Sequence, residues 1–126
     1  MRSCVLIFLL FTGAATALVP APAYAGEADV LAVEARKQGP GNWHFAVTVA
    51  HADTGWDHYA DRFQIVTPDG TVLGTRVLLH PHVDEQPFTR SLGGVKVPDH
   101  IRAVSVRAGD TLHKFGGDTK IVTLKR

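Results

Sequence analysis

The sequence predicts an all-β fold, a single antiparallel β-sandwich of about seven strands, and three observations carry that expectation. In residues 42–51, Trp43, Phe45, Val47 and Val49 share one face while His44, Ala46 and Thr48 share the other, the period of a half-buried strand. Pro68-Asp69-Gly70 is hairpin-turn chemistry between two further apolar runs, because proline presets φ and glycine takes the left-handed position. No stretch after residue 25 carries a convincing helical period, and glycine and proline divide the chain into short segments.

The elements follow in order. Residues 29–36 alternate loosely, with Val30, Ala32, Glu34 and Arg36 on one side and Leu31, Val33 and Ala35 on the other; this first strand ends at Gly39-Pro40-Gly41. Residues 42–51 are the second strand, and the irregular stretch 52–61 holds Gly55, Trp56, Asp57, His58 and Tyr59. Residues 62–67, with Phe63 and Ile65 inward, and 71–79 are the third and fourth strands, joined by the hairpin turn. Phe88, Arg90 and Leu92 alternate with Thr89 and Ser91 in a fifth strand that stops before Gly93-Gly94. Residues 101–108 and 119–124 complete the set, separated by a glycine-containing loop at 109–118.

The number and spacing of these strands across residues 29–124 resemble the immunoglobulin-like or fibronectin type III-like class. The antibody-type cysteine pair is absent, and Tyr59 lies far from the sixth strand, where a tyrosine corner belongs, so the resemblance implies a general sandwich. Residues 56–60 together with 77–90 also resemble small uncharacterised secreted bacterial proteins, a likeness that implies no particular activity.

Residues 1–25 read as a secretory leader: Met1-Arg2 is its positive start, Val5, Leu6, Ile7 and Phe8 open its apolar centre, and Ala23-Tyr24-Ala25 is a small-x-small cleavage signal. The uninterrupted apolar run falls short of the roughly 20 residues a bilayer span needs. Cleavage after Ala25 leaves one domain at 26–126, periplasmic or secreted and not inserted in a membrane. Cys4 leaves with the leader and has no lipid-attachment sequence around it, so cysteine nucleophiles, thiolate metal sites and disulfides are excluded from the domain. Without Arg2 the basic residues number 12 against 12 acidic ones, which gives no electrostatic footprint for nucleic acid. All 7 histidines remain, and the domain's charge therefore responds between about pH 5 and 8.

Alternating strand directions place the second, fourth and sixth connections, residues 52–61, 80–87 and 109–118, at one pole. They bring His58, His80, His82 and His113 together with His51, and carry Asp53, Asp57, Asp61, Asp84, Glu85, Asp110 and Asp118. His80-Pro81-His82 on an extended segment puts both imidazoles on one side, which permits two nitrogen ligands to one zinc or copper ion. His51 and His113 are the candidate third ligands; a solvated His-Pro-His loop is the plainer reading. Trp56, Asp57, His58, Asp84 and Glu85 are candidate ligand or partner contacts, with His58 exposed and Trp56 covering the end of the core.

Catalysis has little support, because Gly-x-Ser-x-Gly is absent and adjacent Asp84 and Glu85 point apart on an extended chain. The sequence thus predicts a non-enzymatic binding domain whose partner is a transition metal, a polar ligand or a periplasmic protein. A protein-interaction or structural module with no metal is the alternative, and a pH-responsive binding domain is a third.

Overall fold

A computed structural model describes residues 26–126; the leader expected at 1–25 lies outside the described residues. Seven strands follow in order: β1 (Asp29–Gly39), β2 (Asn42–Ala50), β3 (Ala60–Val66), β4 (Val72–Val77), β5 (Phe88–Lys96), β6 (Ala103–Asp110) and β7 (Lys120–Thr123). They form two antiparallel sheets, one in the order β1-β2-β5 and one in the order β4-β3-β6-β7. The expected seven-strand sandwich is therefore present. Where an antibody constant domain keeps its fourth strand in the sheet of its first and second, here β4 pairs with β3 in the opposite sheet. Among the described residues no helix is long and apolar enough to cross a membrane.

Alternation builds the core. Trp43, Phe45, Val47 and Val49 of β2 join Phe63 and Ile65 of β3 and Val104, Val106 and Ala108 of β6 in one buried cluster, whose other members include Val30, Phe88, Val95 and Leu124. Two bulges depart from the simple alternation. In β1, Val30 pairs with Val49 and Ala32 with Thr48, which leaves Leu31 without a partner. The extra residue moves the inner face from Val30 to Val33 and Ala35, so Ala32 and Glu34 face solvent rather than sharing the side of Val30. In β5 the strand does not stop at Leu92: Phe45 pairs with Leu92 and Trp43 with Val95, so Gly93 and Gly94 both stand opposite His44. Gly94 adopts φ 68°, which costs a residue without Cβ little, and the strand runs on to bury Val95.

The chain entering β1 is clamped by the β6–β7 connection. Val30 N donates to the Asp118 carbonyl at 2.8 Å, and Asp118 N donates to Asp29 Oδ1 at 2.7 Å. Gly117 packs against the Ala28 backbone with no room for a Cβ. Phe115 of the same connection lies between two guanidinium groups, Arg62 at 4.5 Å and Arg107 at 4.2 Å from its ring centroid, which fastens the loop to the outer face of β3 and β6.

Candidate metal centre

Two inward faces run out at the same end of the sandwich. The β2 series Trp43, Phe45, Val47, Val49 continues two residues on to His51, and the β6 series Val104, Val106, Ala108 continues to Asp110. These strands belong to opposite sheets, so the two polar residues meet across the end of the core. His58 reaches them from the β2–β3 connection. His58 N donates to the Gly55 carbonyl at 3.2 Å and Thr54 N to the His58 carbonyl at 3.0 Å, a tight turn with Trp56 and Asp57 at its tip. Ala60 then pairs with Asp110 and Arg62 with Gly109, leaving Asp61 as an extra residue in β3. That bulge brings Ala60 and His58 to the inner side.

His51 Nε2 stands 3.3 Å from His58 Nε2, His58 Nε2 stands 3.1 Å from Asp110 Oδ1, and His51 Nε2 is 3.9 Å from Asp110 Oδ2. One ligand atom from each residue lies within 4.8 Å of the others, and all three residues are buried. Asp110 is fully buried and its two oxygens differ. Oδ1 accepts from Leu112 N at 2.9 Å and His113 N at 2.7 Å and adjoins His113 Nδ1 at 3.2 Å. Oδ2 has no hydrogen-bond partner. Burial works to raise the Asp110 pKa, but the His113 and Leu112 amides, with the charges of His113 and His51, outweigh it and hold the carboxyl below its ordinary value.

His51 is fixed from every side. Its Nδ1 lies 2.5 Å from Asp53 Oδ1 and its Nε2 lies 2.9 Å from the Gly26 carbonyl oxygen. Both oxygens are acceptors, so each ring nitrogen of His51 faces an oxygen. Asp53 also accepts from Ala60 N at 3.0 Å and His82 N at 2.7 Å. Gln86 links the pieces, accepting from His51 N at 3.0 Å and donating to the His82 carbonyl at 3.0 Å.

The shared pole expected from strand parity is observed, and the structure sorts its members. His51 lies in the cluster and His113 adjoins it through Asp110. His80 and His82 stand outside it, their ring centroids 4.8 Å apart. His80 is exposed; His82 is buried, stacked on Phe88 at 4.0 Å with Nε2 3.0 Å from Arg90. Burial first, and the Arg90 charge second, push the His82 pKa below its ordinary value. Asp57, Asp84 and Glu85 are exposed, and Glu85 lies 3.6 Å from Arg90.

Two expectations are corrected. His58 is 8% exposed rather than an open contact, because the Asp61 bulge turns it inward. Trp56 does not cover the core; it is 68% exposed at the tip of its turn, edge-on to Tyr59 at 5.6 Å, and the polar cluster closes the core instead. Sequence reasoning grouped Asp53 and Asp110 with the acids of the pole without assigning them a role, and it overlooked Gly26. Extending the apolar face of β6 by one step would have added Asp110 to the candidate His51, and the His51-x-Asp53 spacing has the same one-sided logic as His80-x-His82.

The class defined by these features is a two-sheet β-sandwich closed at one end by a buried histidine–aspartate cluster. In sequence the chain is similar to a protein of Halomicrobium mukohataei named "Putative lipoprotein", with 42% identity over 96 residues; the match takes in 76% of this chain. The chain spans about half of that relative, 47% of its length. No family model and no solved structure matches the chain.

Proposed function

We propose that this domain binds a transition metal, zinc or copper(II), through His51 Nε2, His58 Nε2 and the Asp110 carboxylate, and serves in metal capture, storage or delivery in the cell envelope or secreted space. The observation that carries the reading is Asp110 Oδ2, a buried carboxylate oxygen without a donor beside imidazole nitrogens. A bare buried acceptor of this kind costs about 1–3 kcal/mol and more when charged, and a bound cation removes that cost. The spacing agrees: donors 2.0–2.1 Å from one tetrahedral zinc stand about 3.3 Å apart, close to the 3.1 and 3.3 Å separations at His58 Nε2. Asp53 behind His51 is the second carboxylate that orients a ligating imidazole and holds its proton on Nδ1.

Two nitrogens and a carboxylate without thiolate suit zinc and copper(II). The name of the Halomicrobium relative and the leader expected at 1–25 support the envelope or secreted setting.

The test is separate titration of zinc and copper(II) into chelator-treated protein, beside the His58→Ala/Asp110→Asn and His80→Ala/His82→Ala double variants. Near-stoichiometric uptake that the first variant loses and the second keeps is the expected result. Loss in the second alone would move the site to the His-Pro-His loop, and equally weak binding by all three proteins would overturn the metal reading. A second reading, a protein-interaction module, is favoured by Trp56, Leu79, Val83 and Leu112, which stand exposed on the connections of this same pole. It predicts that Trp56→Ala/Leu112→Ala weakens capture of a protein partner and leaves metal uptake intact.

A further inference from the structure

We infer that removal of the leader makes the Gly26 nitrogen a ligand, so that this chain acquires its complete metal site only on processing. The inference rests on the metal reading above and names a further donor of the same site. Three observations carry it. The Gly26 carbonyl oxygen lies 2.9 Å from His51 Nε2, one of the proposed ligand atoms. The other ring nitrogen of the same imidazole is held by Asp53 at 2.5 Å, which fixes the ring with Nε2 turned to the Gly26 carbonyl. Finally, Gly26 directly follows Ala23-Tyr24-Ala25, where the sequence places the cleavage.

The carbonyl oxygen and nitrogen of one residue close a five-membered chelate ring on a metal, so an ion that touches Gly26 O has the Gly26 nitrogen within reach. Before processing that nitrogen is an amide with no basic lone pair. Hydrolysis of the Ala25–Gly26 bond by a signal peptidase consumes one water, leaves a carboxylate on Ala25 and frees an α-amine on Gly26. With an ordinary pKa of about 7.7–8.0, the amine gives up its proton to the solvent when it binds the ion. The segment is held for this role rather than frayed. Ala28 is buried, Gly117 packs on its backbone without room for a Cβ, and the bonds of Asp29 and Val30 to Asp118 tie the following residues to the β6–β7 connection.

The experiment uses the full chain exported with its own leader, its first residue established by intact mass. A second chain carries two additional residues between Ala25 and Gly26, so that processing leaves Gly26 with an amide nitrogen. A third sample is the processed protein after N-terminal transamination, which replaces the α-amine by a carbonyl and spares the lysines. Zinc affinity is read by competition with a chromophoric chelator, and zinc is used because it does not displace amide protons near neutral pH.

The expected result is a mature chain beginning at Gly26 that binds zinc at least tenfold more tightly than either altered form, while all three have the same circular dichroism. Equal affinity in the three samples, with binding still lost in His58→Ala/Asp110→Asn, would overturn the role of Gly26 and leave the side-chain site standing. Absence of tight binding in every sample would overturn both. A mature chain beginning at another residue would overturn the inference directly.

Discussion

At the scale of single residues, the proposed metal site depends on groups that hold its ligands. Asp53 accepts from His51 Nδ1 and from two backbone amides, so Asp53→Asn disturbs the proton on His51 while preserving shape. Orienting carboxylates of this kind are worth about 10–100-fold in metal affinity, and zinc competition on the variant should show a loss in that range; an unchanged affinity would remove Asp53 from the site. His82 supplies a pH-dependent contribution to stability. Its folded pKa lies below the ordinary value, so as pH falls the unfolded chain takes up the proton first. The stability linked to His82 is full above its unfolded pKa of about 6.5 and is lost as pH drops towards the folded value. The difference in Tm between the native protein and His82→Gln should therefore narrow between about pH 7.5 and 5, and a constant difference would refute this linkage.

At the scale of elements, the buried face of β2 and the β6–β7 connection carry the stability of the sandwich. Trp43 is a large, fully buried side chain of β2 whose Nε1 has no partner. Trp43→Ala should cost about 3–5 kcal/mol in denaturant unfolding. Trp43→Phe should cost clearly less, since it keeps most of the ring volume and removes an unsatisfied donor. Gly117→Ala acts elsewhere, forcing a methyl group against the Ala28 backbone. It should destabilise the domain by about 1–3 kcal/mol, the usual range for overpacking, and weaken zinc binding by displacing Gly26. Wild-type stability in Gly117→Ala would show that the N-terminal segment is not clamped there.

At the scale of the molecule, the proposed metal site couples ion binding to the fold, because His51 and Asp110 come from different sheets and His58 from a connection. The unfolded chain does not hold these three together, so an ion at 100 times its Kd stabilises the folded state by about 2.7 kcal/mol. For a domain of this size that raises Tm by about 10 °C or more. Calorimetry with zinc and with excess chelator checks this, and coincident transitions would argue against a buried site.

Alternation and turn chemistry determined the all-β class, the strand order along the chain, the hairpin at Pro68-Asp69-Gly70 and the collection of five histidines at one pole. These are local or topological properties: side chains alternate along a strand, and antiparallel strands alternate in direction, whatever packs against them. Part of the cluster was legible for the same reason, since His51 continues the inner face of β2 and Asp110 that of β6. Tertiary structure decided the rest. The Asp61 bulge, which turns His58 inward, exists only because β3 pairs with β6 in a particular register, and no pattern in residues 52–61 announces it. Gly26 meets His51 only because β1 pairs with β2 and the β6–β7 connection clamps the entering chain. His80-Pro81-His82 is legible as a candidate because its two imidazoles lie close together in sequence. The cluster is assembled from residues 51, 58 and 110, whose proximity follows from the packing of two sheets across a shared core.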